Sequence, residues 1–113
     1  MAVAQLWIVR PHSRVMGIEY RISCPPDKLP KLEAFLRWLG GQPCRQFPEQ
    51  LEFRIQPSRP DEMPDAIAVV ESAGIYFRDN CGAHEAVAVL FRRIIDEALT
   101  LSDSSDSVVI SSL

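Results

Sequence analysis

The sequence predicts an α+β fold in which two helices pack on one face of a mainly antiparallel sheet, with elements in the order β-α-β-β-β-β-α-β. Two segments carry apolar residues at helical spacing, and the segments around them alternate apolar with polar residues. Each helix therefore has one apolar stripe to bury, and each strand has one apolar side. Packing both helices on the apolar side of one sheet buries all of these surfaces together.

The length and composition indicate a single globular domain. The chain has 113 residues, of which 47% are hydrophobic and 24% charged, and this balance differs from that of disordered or fibrous chains. We expect residues 16–113 to form the domain, because Met16 directly precedes the first clearly patterned strand. Residues 1–15 are either an N-terminal arm or one extra strand through the apolar residues 6–9.

The first strand is predicted at residues 18–24 and the first helix at about 28–39. Asp27 is placed to cap the start of this helix, and residues 40–41, both glycine, can adopt the left-handed conformation that ends it. One side of the helix is apolar and is expected to face the core, and it consists of Leu29, Leu32, Phe35, Leu36 and Leu39.

The middle of the chain is predicted to be β-rich. A weak strand at 44–47 and a strand at 51–56 precede the proline-rich segment 57–65, which reads as an exposed loop. Strands at 66–72 and 75–80 are expected to form a hairpin, with Gly74 supplying a positive φ in the turn.

The second helix is predicted at residues 83–101, and a last strand at 108–113. Arg92 with Asp96, and Arg93 with Glu97, are spaced to form weak ion pairs on the polar side of this helix. The complete order resembles a ferredoxin-like layout with an extra hairpin. The resemblance concerns the layout alone, and it implies that both helices cover the same face of the sheet.

The charge, the cysteines and the missing motifs argue against several functions. A net charge of −3 offers no basic surface for phosphates, so nucleic acid is not an expected partner. The three cysteines lack disulfide-framework or zinc spacing, which fits a reducing, cytoplasmic compartment. No apolar run is long enough to span a bilayer, and no common phosphate, zinc or hydrolase motif is present. We expect no membrane segment, no metal site and no cofactor.

The segment RDNCGAHEA at 78–86 holds the best catalytic candidates. Cys81, His84 and Asp79 lie at the predicted start of the second helix, where the helix dipole favours a thiolate and an imidazole can assist it. The alternative is a simple turn with a partly buried cysteine and acidic residues suited to a helix N-terminus.

Two similar strands raise a binding hypothesis, because IEYRI at 18–22 and LEFRI at 51–55 share one pattern. Because side chains alternate along a strand, the aromatic residues of both segments should face the core and the charged residues should face outward. If the two strands were antiparallel neighbours, each Glu would lie opposite the Arg of the other strand. The residues predicted to form an outer, partner-binding surface are Glu19, Arg21, Glu52, Arg54, Tyr76 and Arg78.

Two functional hypotheses follow. The first is a small, non-catalytic protein-binding module of the immunity, antitoxin or adaptor type, which modulates or neutralises another protein or forms a homodimer. Its basis is the absence of catalytic motifs together with a surface that contains Arg and Tyr, residues enriched at binding hot spots. The second is a small thiol-dependent enzyme or ligand binder that uses the region of Cys81 and His84.

Overall fold

A computed structural model describes residues 17–55, 62–80 and 84–113, without the side chains of His84 and Ser105. The predictions for residues 1–15 lie outside these ranges. The described elements confirm the predicted class and order. They are β1 (Ile18–Ser23), a 3₁₀ turn (Pro26–Lys28), α1 (Leu29–Trp38), β2 (Gln42–Pro43), β3 (Gln50–Phe53), β4 (Ala66–Glu71), β5 (Gly74–Asp79), α2 (His84–Leu101), a 3₁₀ turn (Ser105–Ser107) and β6 (Val109–Ser112).

The described strands form one antiparallel sheet in the order β2-β3-β4-β5-β1-β6. The part β6-β1-β5-β4 follows the ferredoxin-like strand order, and β3 and β2 extend it beyond β4. The agreement is partial, because β2 and β3 have no counterpart in a four-stranded ferredoxin-like sheet. The strand directions do agree, since two split βαβ units place their central strands antiparallel, as β1 and β5 are here. The similar strands β1 and β3 are separated by β5 and β4 and cannot form the Glu–Arg cross-strand pairs considered above.

The main core lies between the two helices and one side of the sheet. Phe77 at its centre is completely buried, and the ring of Phe91 on α2 lies 4.9 Å from it and 4.5 Å from the ring of Tyr20. Phe53 is only 3% exposed. The aromatic residues of both similar strands therefore face the core as predicted. Other fully buried residues of this core are Ile22, Leu32, Leu36, Ile75 and Ile94.

Local hydrogen bonding ends α1, whereas no side-chain hydrogen bond caps its start. Gly40 has a φ of +113° and donates its N–H to Arg37 O at 3.0 Å, while the next N–H, that of Gly41, reaches Leu36 O at 3.0 Å. These are the two bonds of a Schellman motif, so the predicted glycine stop is confirmed. The predicted cap is wrong, because Asp27 lies within the preceding 3₁₀ turn and Lys28 occupies the N-cap without a side-chain bond.

The β4–β5 hairpin turns one residue earlier than predicted, at Ser72 and Ala73, and Gly74 begins β5. Among the described glycines a positive φ occurs only at Gly17 and Gly40, so the reason expected for Gly74 is wrong. A Cβ at this position would collide with the carbonyl oxygen of Ile22 on β1. Glycine is needed here for close approach of two backbones rather than for a left-handed turn.

Candidate functional site

The predicted partner-binding residues lie on the side of the sheet that faces away from the helices. Strand pairing arranges this side in two rows, since directly opposite residues share a face. The rows, which together we call the far face, are Glu52–Ile67–Arg78–Glu19 and Gln50–Val69–Tyr76–Arg21.

The middle of the far face is closed to solvent. Glu52, Tyr76 and Arg78 expose only 8%, 7% and 3% of their surface, and Ile67 between them is fully buried. The expectation that these three polar residues form an open surface is therefore wrong. Alternation assigned them correctly to the side away from the helices, but it carries no information on whether that side is covered.

Glu19, Arg21 and Arg54 keep more contact with solvent. The side chain of Arg21 is 46% exposed, and it donates from Nε to Glu71 Oε1 at 3.0 Å. The side chain of Arg54 is 19% exposed, and it donates from Nη2 to Glu52 Oε1 at 3.0 Å. Glu19 is half-buried. Of the predicted surface, Arg21 and Glu19 on β1 form the part that a partner can reach together.

Tyr76 is held by Glu19 across the β1–β5 pair. Its hydroxyl donates to Glu19 Oε2 at 2.7 Å. Burial raises the pKa of Tyr76, and the hydrogen bond to Glu19 and the negative charge of that carboxylate raise it further. The phenol therefore remains protonated at neutral pH and acts as a fixed donor, not as an acid or base.

Two buried side chains of the far face have polar atoms without hydrogen-bond partners. These atoms are Nε2 and Oε1 of Gln50 and Nε and Nη1 of Arg78. An unsatisfied buried polar group costs about 1–3 kcal/mol, so these atoms lower the stability of the far face. Because Gln50 and Arg78 are 0% and 3% exposed, this unused hydrogen-bonding capacity is not open to a partner.

Among the described strands, β6 lies at one edge of the sheet and has no strand on its outer side. The sequence suggested that an edge strand could join two copies of the chain, but it did not show which strand that would be. β6 pairs with β1 on one side, and Leu113 N–H donates to Glu19 O at 2.9 Å. Since bonded and non-bonded pairs alternate along antiparallel strands, Val109 and Ser111 also turn their main-chain groups toward β1. The N–H and C=O groups of Ile110 and Ser112 consequently point to the outer edge.

The side chains at this edge are exposed and largely apolar. Val109, Ile110 and Leu113 are 53%, 46% and 56% exposed, and Ile18 on the neighbouring β1 is 47% exposed. Exposed edges in natural proteins usually carry lysine, proline or a bulge that discourages pairing, and β6 carries none of these. The apolar VVISSL segment was the only sequence signal, and it did not show that the strand lies at an edge.

The predicted thiol site falls mostly outside the described residues, which exclude Cys81 and the side chain of His84. Asp79 ends β5 and is half-buried. Across the described ranges, no group of His, Cys, Asp and Glu residues could hold a metal ion. Asp65, an acidic residue just before β4, has a structural contact: its Oδ2 accepts a hydrogen bond from Ile55 N–H at 2.7 Å. The thiol hypothesis stays a prediction.

Comparisons of the chain with protein-family models, with curated proteins and with solved structures give no match. Within the described ranges, no helix has the length and apolar character needed to cross a membrane. Function must therefore be argued from the surfaces themselves.

Proposed function

We propose that this chain is a small, non-catalytic protein-binding module that adds a strand of its partner to the edge of β6. The observation that carries this proposal is the exposed outer edge of β6, where the main-chain groups of Ile110 and Ser112 point away from the sheet. In strand addition, main-chain hydrogen bonds provide affinity and alternate side chains provide specificity.

Apolar side chains on both sides of β6 favour this mode of binding. Ile110 lies on the helix side of the sheet, opposite Ile22, whereas Val109 and Leu113 lie on the other side. An added strand would cover part of each of these half-exposed side chains, and this burial contributes about 1 kcal/mol per residue. Together with the main-chain hydrogen bonds, this burial makes pairing with a partner strand more favourable than exposure of the edge to water.

Arg21 can add a charged contact at the edge if its side chain turns away from Glu71, which lies on β4 across β5. It lies directly opposite Ser111 of β6, and its ion pair with Glu71 is solvent-exposed. Such exposed pairs contribute only about 0–1 kcal/mol, so Arg21 can exchange Glu71 for a carboxylate of the partner at little cost. Glu19 and Arg21 thus keep the binding role predicted for them, beside the edge strand.

Binding at one edge without chemistry suits a protein that modulates or neutralises its partner, as immunity, antitoxin and adaptor proteins do. The partner is another protein or a second copy of this chain, in which case two β6 strands pair across a two-fold axis. We place this activity in the cytoplasm, which accords with the free, buried thiols of Cys24 and Cys44.

Ile110→Pro tests the proposal, because proline removes the outward N–H of Ile110 and leaves the β1–β6 bonds in place. We expect a wild-type homodimer to become monomeric in sedimentation equilibrium, or capture of a different partner from lysate of the expressing cells to fall by at least tenfold. Ile110→Ala is the matched control, since it keeps the N–H and loses only the apolar contact of about 1 kcal/mol, so it should weaken binding by no more than about fivefold.

Arg21→Glu provides a second variant at an exposed position that does not depend on tolerance of proline. It should weaken binding while the melting temperature stays close to that of the wild type. A wild-type protein that is monomeric, and whose captured proteins are the same in kind and amount for Ile110→Pro and Arg21→Glu, would overturn the proposal.

A further inference from the structure

A cleft of about 410 Å³ opens between the end of α1, the end of β3 and the first half of α2. Buried Phe53 and Leu90 form its floor, and Leu39, Ile55 and Val89 form its walls. Ile55 and Val89 are 41% and 59% exposed, so the apolar walls are accessible from outside. A concave, mostly apolar surface of this size is typical of small-molecule sites.

Two arginines, Arg54 and Arg93, line this cleft, and Arg54 already forms an ion pair with Glu52 at 3.0 Å. Arg93 lies at the rim of the cleft, and the central carbon of its guanidinium lies 5.3 Å from the centre of the Trp38 ring. The predicted ion pair with Glu97 does not form, and Arg93 pairs with no carboxylate among the described residues. Stacking on an indole therefore takes the place of a salt bridge and leaves the donors of Arg93 available to an anion.

We propose that this cleft binds a small carboxylic acid with an apolar body. The body would lie against Leu39, Ile55 and Val89, and the carboxylate would accept hydrogen bonds from Arg93 in the bidentate arrangement that guanidinium favours. A neutral or cationic ligand of the same shape would gain the apolar contact but would not compensate the charge of Arg93. This site is independent of the proposed strand addition, because β3 and β6 lie near opposite edges of the sheet.

Titration of the ¹⁵N-labelled protein with octanoate tests the proposal. We expect saturable shifts of the amide signals of Gly40, Ile55, Ala86 and Val89, with the signals of β6 unchanged. Affinity should rise from hexanoate to octanoate by up to about fourfold per methylene group, the factor that corresponds to burial of one CH₂. Octylammonium should produce no saturable shifts at these positions.

Paired variants on the exposed side of α2 separate the cleft from general charge effects. Val89→Glu places a carboxylate four residues before Arg93, which neutralises it and narrows the cleft. Ala88→Glu makes the same charge change four residues before Arg92, and both replaced residues are exposed. We expect Val89→Glu to weaken octanoate binding by about tenfold or more, the loss typical of a removed charge-assisted hydrogen bond, and Ala88→Glu to bind as the wild type does.

Arg93→Gln should also bind octanoate more weakly, whereas Arg92→Gln should not. Circular dichroism melting of each variant shows whether the fold is retained, and all four positions can be replaced without opening the core because each is exposed. Equal octanoate affinity for wild type and Arg93→Gln would overturn the proposal. So would octylammonium binding as tightly as octanoate, or octanoate shifts confined to Val109 and Ile110.

Discussion

The similar strands β1 and β3 have very different surroundings. Glu19 on β1 is half-buried beside the open edge, whereas Glu52 on β3 is 8% exposed. The first residue of the pattern is 47% exposed in β1, at Ile18, and 2% exposed in β3, at Leu51. The alternation pattern thus determines which side of the sheet a residue faces. The depth of burial depends on how close the residue lies to an edge or an end of the sheet.

The direction of the strands explains part of this difference. Three successive antiparallel pairings separate β1 from β3, so the two strands run in opposite directions. Glu19 and Glu52 lie in the same row of the far face. The residue that precedes one of them along the chain therefore lies at the same end of the sheet as the residue that follows the other. Ile18 and Ile55, the first and last residues of their patterns, lie toward the same end of the sheet, and both are exposed.

The largest effect is expected when the aromatic residue of each strand, Phe53 in β3 or Tyr20 in β1, is replaced. Phe53→Ala should lower the free energy of unfolding by about 3–5 kcal/mol, because it leaves a cavity in a fully packed core. Tyr20→Ala should cost roughly half as much, since Tyr20 is half-buried. Urea unfolding monitored by circular dichroism measures both, and Phe53→Leu and Tyr20→Phe are the conservative controls. Equal losses would mean that the two strands are packed alike.

The arginines give the next largest effect. Arg54→Ala should cost about 2–3 kcal/mol, because it takes from the nearly buried Glu52 carboxylate its 3.0 Å partner. Arg21→Ala breaks an exposed pair and should cost less than about 1 kcal/mol, an amount that 1 M salt should largely remove. Urea unfolding at low and high salt measures this contrast. A salt-independent loss at Arg21, or a negligible loss at Arg54, would contradict it.

A further test concerns the side-chain hydrogen bond between Tyr76 on β5 and Glu19 on β1. Tyr76→Phe removes the donor to Glu19 and should cost about 1–1.5 kcal/mol at neutral pH. The pKa of Tyr76 is higher in the folded than in the unfolded state. The contribution of Tyr76 to the free energy of unfolding is therefore fully present below about pH 10, the pKa of an unfolded tyrosine, and is lost as the pH rises above that value.

The free energy of unfolding of the wild type should consequently fall more steeply than that of Tyr76→Phe between about pH 10 and pH 11. Parallel denaturation curves at several pH values measure the two slopes. Because every other titrating group is shared, the difference between the slopes reports on Tyr76. Identical slopes would show that the phenol ionises equally easily in the folded and unfolded states.

Local patterns predicted the core and the elements except β2, which lies at Gln42–Pro43 and not at 44–47 as expected. The features that depend on long-range neighbours were not predicted. The spacing of Leu32 and Leu36 and the glycines after Leu39 are sufficient to place α1, because helix formation and termination depend on nearby residues. The edge position of β6 and the burial of Glu52 depend on which strands lie beside them, and no local pattern encodes this. The ion pair expected between Arg93 and Glu97 was wrong for the same reason. Arg93 contacts Trp38 on the other helix, and the local spacing of charges does not show such a contact.

Gly74 limits the ways in which this sheet can be misassembled. Its missing side chain lets β1 approach β5 at Ile22, and any other residue would strike that carbonyl oxygen. If β1 slipped by one residue along β5, Ile75 would meet this point of contact, and Glu19 and Arg21 would turn into the core. Glycine at position 74 therefore favours the observed register of β1 and β5 over this nearest incorrect one.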